Sequence, residues 1–431
     1  MNTDRSSSTH TRRIQSRFIA TYNNNIIAAN KSGILTLKNP TNNPDASIKT
    51  YINVGNLDVS PVTEVIEPGP PGPPPTPPTA FIPTTWIDST GDLFVSTGGR
   101  DVSYGQGKWI AVGLDVAATI KMSSDHAATW TNISDQMPSD GNGHGVLGVA
   151  TDGYGKWVAV GDEAVALNYV NTILYSSDNG LTWASNNAYD SGFNNSNGST
   201  DRGYDVTYNN GLWIAVGHYT TTTQYERVIK IATTFDLVNG PNWSNSPIGI
   251  GPSPVFGSSN PGLCVAYGNG VWCVGGQDLN TIPVGSIAYS NNGLTWTMGT
   301  NTFKGMCSGI ATDGNGNWVA VGFKKSGAGG DAKSIKYSSD GINWIDTPSS
   351  DANLFTYGKS VAYGLSPSGV GIWVAVGSGN SQTIIYSIDN GLSWSSAGSN
   401  RFSTTGHGIH FADDRWVAVG DDAASIKYSV A

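Results

Sequence analysis

Asp101 and Asp205 stand apart from the other carboxylates of this chain. Most of the aspartates sit in turn sequences such as Asp152-Gly153 and Asp313-Gly314, where a short acceptor beside a glycine favours a tight reversal. Asp101 and Asp205 instead precede a central Val of an apolar run, at the same place in two sequence repeats. Two carboxylates about 5–9 Å apart are what glycoside hydrolysis requires, so these two are the pair to consider for that chemistry. The other repeats put Gly148, Cys264, Gly309, Ser360 and Gly408 at this place. One position earlier the repeats read Arg100, Leu147, Tyr204, Leu263, Ser308, Lys359 and His407. A repeat that keeps its frame but varies here can hold a polar site. The candidate ligand-binding residues are therefore Arg100, Asp101, Tyr204, Asp205, Lys359 and His407. No residue is assigned a catalytic role.

His407 and His410 are three apart, and on a strand that spacing turns them to opposite faces, so they make no metal pair. The chain has no phosphate-binding Gly-rich loop, no dinucleotide fingerprint, no Gly-x-Ser-x-Gly elbow and no paired Cys motif. No cofactor and no metal are expected. Cys264, Cys273 and Cys307 are too few and too clustered for a disulfide framework and read as small buried apolar residues.

The elements that position these residues are announced by the 14 tryptophans. Trp109, Trp157, Trp213, Trp272, Trp318, Trp373 and Trp416 each follow a short turn and open an apolar run. Trp130, Trp183, Trp243, Trp296, Trp344 and Trp394 close a second signature, and only Trp86 remains. The first set recurs with a mean period of about 51 residues, the scale of a propeller or solenoid. In one period GKSVAYG, WVAVG, TIIYS and DNGLSW supply four short strand-like runs separated by Gly, Asn and Asp. Four antiparallel strands per repeat make a propeller blade. The seventh copy ends at SIKYSV without its fourth strand, and Thr84-Thr85-Trp86-Ile87-Asp88 matches Asn343-Trp344-Ile345-Asp346 of the fifth copy. The fold class expected is all-β: a seven-bladed β-propeller of four-stranded blades, its last blade closed by the N-terminal strand around Trp86.

YSSDNGLTW (175–183), YSSDGINW (337–344) and YSIDNGLSW (386–394) resemble the Asp-box, or BNR, repeat. That repeat occurs in sialidase-like propellers and in propellers similar to the photosystem II assembly factor, and in fibre proteins of large DNA viruses and phages. The resemblance covers about residues 81–431. It implies structural roles for Asp125, Asp178, Asn291, Asp340 and Asp389 and for all the tryptophans. The Asp caps backbone N–H groups, Gly takes the left-handed position, and Trp packs between blades. Sialidase activity would need three arginines on a substrate carboxylate, a Tyr–Glu pair and an Asp acid. The propeller has only Arg100, Arg202, Arg227, Arg401 and Arg415, and its glutamates Glu163 and Glu226 lie in variable insertions. That activity is not expected.

Residues 1–17 read as a flexible basic tail, and 18–67 as a small β-rich anchoring segment with Asn-rich turns. Residues 68–80 are a Pro/Gly-rich linker that forms a stiff spacer, and 81–431 the propeller. The net charge of −9 argues against a nucleic-acid partner. No apolar run is long enough for a membrane helix, and the start lacks the apolar core of a secretory signal. Anchor, spacer and β-rich head imply a non-enzymatic virion or surface-appendage component. Residues 1–67 would hold a capsid or appendage protein, and the propeller would bind a host-surface glycan or protein, in a chain that can self-associate. An intracellular protein-binding scaffold and a glycoside hydrolase are the alternatives.

Overall fold

The chain divides into two compact units, Met1–Thr76 and Pro77–Ala431. The computed structural model describes four strands of the first unit. It also describes residues 82–430 of the second, apart from 96–97, 116–118, 135–144, 162–171, 186–192, 194–201, 221–224, 237–239, 246–260, 279–284, 325–333, 349–354 and 380–381. The basic tail 1–17, the Pro-rich segment 68–80 and Glu163 lie outside the described residues.

In the first unit, Ile19–Tyr22, Asn25–Ala29, Ile34–Lys38 and Ile52–Asn53 form an antiparallel sheet in chain order. Asn23-Asn24 joins the first two strands, with Tyr22 opposite Asn25, the register of a two-residue hairpin.

The second unit has no α-helix among its described residues and repeats one antiparallel pattern. A typical copy runs Tyr357–Leu365, Gly371–Ser378, Ile384–Ser387 and Ser395–Ser396, each strand paired with the one before. The second strand is buried along its length, as Trp373, Val374, Ala375 and Val376 show. A continuous apolar run with no polar alternation is what a strand covered on both faces requires. The fourth strand is short and exposed, which leaves little edge for foreign pairing. Turns between first and second strands, such as Asn210-Gly211 and Asn269-Gly270, have positive φ at both residues, matching the twist of a hairpin.

The first strands are Gly99–Gly105, Val146–Thr151, Arg202–Asn209, Gly262–Gly268, Gly305–Thr312, Tyr357–Leu365 and Thr405–Ala412. Each packs beside the next, and Thr405–Ala412 also packs beside Gly99–Gly105. Ile87–Asp88 pairs antiparallel with Ile426–Val430, and the Lys427 ammonium lies 2.6 Å from Asp88 Oδ1. The third copy is expanded by a small hairpin, Phe235–Asp236 with Gly240–Pro241.

All fourteen tryptophans are buried. They join neighbouring sheets: Trp157 packs with Ile110 and Val112 of the preceding copy, and Trp213 with Val158 and Val160. The Ser-x-Asp turns are fastened in one way. Asp178 Oδ1 accepts from the Thr182 N–H at 2.9 Å and from Ser176 Oγ at 2.8 Å, while Trp183 Nε1 donates to Gly180 O at 3.1 Å. Asp125 and Asp389 repeat this, Trp donation included, and Asp340 repeats the acceptor contacts, accepting from the Asn343 N–H and Ser338 Oγ. In the fourth copy the residue that does so is Asn292, not Asn291. The acceptor must stand two residues after the serine that donates to it, and Ser290 Oγ meets Asn292 Oδ1 at 3.0 Å. In the first copy Ala127 occupies the glycine position with φ 65°.

Candidate functional site

Every first strand carries a β-bulge, and always at the same place. Pairing with the second strand skips one residue between Gly99 and Asp101, Val146 and Gly148, Gly203 and Asp205, and Gly262 and Cys264. It does so again between Cys307 and Gly309, Gly358 and Ser360, and Gly406 and Gly408. The skipped residues are Arg100, Leu147, Tyr204, Leu263, Ser308, Lys359 and His407, the uneven register of the sequence. A bulge leaves its extra residue outside the hydrogen-bonded ladder and re-aims it. That freedom explains why side chains of six different types are tolerated at one register of an otherwise uniform strand. All seven are half-buried.

Two of them converge on one carboxylate. Arg100 Nη1 lies 3.4 Å from Asp421 Oδ1, and His407 Nε2 lies 2.9 Å from Asp421 Oδ2. Burial, and then the nearby Arg100 charge, pull the His407 imidazole down to about 4, against the hydrogen-bonding pull of Asp421. His407 is therefore neutral at pH 7. Burial and then Arg100 also lower the Lys359 ammonium, while Asp421 opposes them. Tyr204 belongs to a different part of the register and stacks on His218 with ring centroids 5.7 Å apart.

Asp101 and Asp205, one residue further on, do another job. Asp101 Oδ2 accepts the Val149 N–H of the next first strand at 2.9 Å. Asp205 Oδ2 accepts that of Val265 at 2.8 Å, and its Oδ1 accepts from Val206 at 2.7 Å. The carboxylates thus cap edge N–H groups that no further strand pairs. Where the repeat has glycine here, the neighbouring strands meet directly. A Cβ at Gly148 would lie 2.9 Å from Asp205 Cα, and one at Gly408 would lie 2.9 Å from Asp101 Cα. Burial raises Asp101 to about 6. It raises Asp205 further, to about 8, because the Asp101 charge adds to it, although backbone N–H donors pull both the other way. His410 lies apart from His407, edge-on to Trp109 at 5.9 Å, and burial lowers it to about 4.

The strand order separates two faces. Connections from second to third strand, and from fourth strand to the next first strand, emerge on the face nearest the bulges. First-to-second hairpins and Ser-x-Asp turns emerge on the opposite face. Of the expected insertions, 162–171 and most of 250–261 and 323–332 lie outside the described residues, and 218–229 is largely a continuation of the paired strands Leu212–Thr220 and Tyr225–Ala232. On the opposite face the turns interlock: Lys108 Nζ donates to Asn179 O at 3.4 Å, and the Asn179 N–H to Gly155 O at 2.9 Å.

Sequence reasoning overlooked Asp421 and His218. Both follow the glycine that closes the Trp-x-Ala-Val-Gly run of a second strand, a register reading Leu114, Asp162, His218, Gln277, Phe323, Ser378 and Asp421. Comparing the copies there would have exposed them, because each faces the bulge residue of its own sheet. The Cys264 and Cys307 sulfurs, free thiols 3.9 Å apart in neighbouring sheets, were legible only as buried residues. Among the described residues no group of three or more His, Cys, Asp or Glu could hold a metal ion. Among the described residues no helix is long and apolar enough to cross a membrane.

No family model matches the sequence, and no curated protein matches it. Among solved structures, YCF48 bound to D1 peptide is similar with a TM-score of 0.51 and 13% identity, covering 81% of this chain and 96% of that one. The WD40 β-propeller domain of Doa1 follows at 0.45 and 11%, covering 80% and 95%. PorZ, a surface component of the type-IX secretion system of Porphyromonas gingivalis, gives 0.47 and 11%, covering 78% and 47%. At such identities the likeness speaks of fold alone: the second unit is a β-propeller.

Proposed function

We propose that the propeller is a non-enzymatic recognition module that binds a glycan or protein ligand on its bulge face. One observation carries this reading: the bulge residues, Arg100, Leu147, Tyr204, Leu263, Ser308, Lys359 and His407, differ from copy to copy at one fixed register and all stand toward one face. Seven four-stranded blades, the last completed by Ile87–Asp88, would make the bulge residues a single ring around the central channel. Sequence variation confined to one end of a rigid scaffold is how such scaffolds carry binding loops. The separate N-terminal sheet and the Pro-rich segment support a structural setting, a component of a virion or surface appendage held through residues 1–67. Binding of the full-length chain to glycan and peptide arrays tests the reading. Binding should fall when 325–333 is shortened and persist in Tyr154→Ala, which alters an exposed residue of the opposite face. The reverse pattern overturns it.

The raised carboxyls of Asp101 and Asp205 favour a second reading, glycoside hydrolysis. Their engagement with backbone N–H groups weighs against it. Turnover of a glycan that is lost in both Asp101→Asn and Asp205→Asn would establish it.

A further inference from the structure

Taken in blade order, the bulge register is not a random mixture. Lys359, His407 and Arg100 occupy three successive blades at the same register, and Arg100 and His407 meet one carboxylate, Asp421. Leu147, Tyr204 and Leu263 occupy the following three, and Ser308 separates the arcs on the remaining side. With Asp421 counted, the Arg100 and Lys359 side carries a small positive excess and the other side is apolar, in a propeller whose net charge is negative. We propose that this ring seats a carboxylate carried on an apolar body, the chemistry of the C-terminal residue of a polypeptide with an aliphatic or aromatic side chain. The proposal rests on the bulge face being the recognition face and names what its centre takes.

The cationic arc suits an anion for a physical reason. Arg100 and Lys359 press on each other across a half-buried site, and the Arg100 charge disfavours the Lys359 ammonium. An incoming carboxylate that sits between Arg100 and Lys359 relieves that repulsion, and it shares Arg100 with Asp421, which lies 3.4 Å from the guanidinium. The guanidinium plane offers it paired N–H donors, and the ammonium offers a point charge. Neutral His407 adds no competing charge at pH 7. The apolar arc then selects the body of the ligand. A sugar acid would bring hydroxyls against Leu147 and Leu263, which can neither donate to nor accept from them, and unpaired polar groups are costly there. An aliphatic or aromatic side chain loses nothing on the same surface. Tyr204, held by its stack on His218, gives that surface a fixed aromatic wall.

The test uses the full-length chain, titrated by calorimetry with N-acetyl-leucine, N-acetyl-leucinamide, acetate and a peptide ending in Gly-Leu as free acid or amide. Both acids with an apolar body should bind at least tenfold more tightly than the amides or acetate. Lys359→Met and Leu263→Asn should each lose about tenfold. Should either variant melt early, Ser308→Asp tests the same point by adding a negative charge to the ring, with the same loss expected. Acid and amide binding within twofold of each other overturn the proposal, as does undiminished affinity in folded variants. Binding of N-acetyl-leucine without the peptide acid overturns the polypeptide assignment and leaves a seat for a small free acid. Array binding that survives Lys359→Met but falls on shortening 325–333 overturns the seat while leaving the recognition face standing.

Discussion

The two faces of the propeller are built from the same strands and obey different rules. On the turn face, the hairpins and Ser-x-Asp turns lock each copy to itself and to its neighbour. Asp178 satisfies the start of its own turn, and Asn179 reaches the hairpin of the preceding copy, its side-chain N–H donating to Gln106 O at 3.3 Å. Most copies there share a left-handed turn backbone, a capped N–H and a buried Trp, although the third copy adds the Phe235–Asp236 and Gly240–Pro241 hairpin and the sixth lengthens its first hairpin. On the bulge face the ladder has been opened by one residue in every copy. The skipped residue makes no pair that its neighbours need, and it is free to be Arg, Leu, Tyr, Ser, Lys or His. A repeat can thus be strict for stability at one end and permissive for binding at the other, because the β-bulge uncouples the two.

The comparison can be broken most sharply at its rigid end. Trp183→Ala removes a buried indole that ties its turn to the inter-sheet core, and should cost roughly 3–5 kcal/mol by denaturant unfolding. A midpoint shift within error would remove the turn face from the framework. The next effect is one of pH. Folding raises the Asp101 and Asp205 carboxyls above their ordinary value, so the folded chain keeps protons that the unfolded chain has released. Their contribution to stability is complete below about pH 4 and is lost as pH climbs through about 6 and then about 8. The capping hydrogen bonds, opposing a smaller cost of burial in Asp125, Asp178, Asp340 and Asp389, lower those carboxyls and give the opposite sign: their contribution fades as pH falls below 4. The melting temperature should therefore peak at mildly acid pH and decline toward pH 9. Asp205→Asn should flatten the alkaline decline, and an unchanged slope would show that the pair is not buried between the first strands.

Asp178→Ala leaves the Thr182 N–H without its acceptor and should cost about 1–2 kcal/mol, as loss of a capping side chain does. The same change at Asn292 should cost less, because its acceptor is uncharged. Equal costs at the two turns would show that charge plays no part. The smallest effect belongs to the permissive end. Replacing 325–333 by a short Gly-Ser turn should move stability by no more than about 0.5 kcal/mol, because loop-closure entropy changes slowly with length. A larger loss would mean that the insertion is part of the framework.

Much of this was written in the sequence in a readable way. The tryptophan period fixed the repeat, Asn-Gly dipeptides marked the hairpins, and the match of Trp86-Ile87-Asp88 to Trp344-Ile345-Asp346 pointed to the strand that joins Ile426–Val430. These features are local, each set by a few adjacent residues whose backbone preferences and spacing suffice. The slip from Asn292 to Asn291 came from reading residue type where the deciding fact was a hydroxyl two positions upstream. The uneven register was legible as variation, but not as a bulge, since an extra residue shows only when a partner strand fails to match it. Nor could the chain announce that Asp101 reaches Val149, that Asp205 feels Asp101, or that Arg100 and His407 share Asp421 across some three hundred residues and between neighbouring sheets. Periodicity and turn chemistry are properties of a segment, and sequence by itself determined them. Which side chains meet at the axis depends on how many sheets stand around it and at what register, and only the tertiary structure decided that.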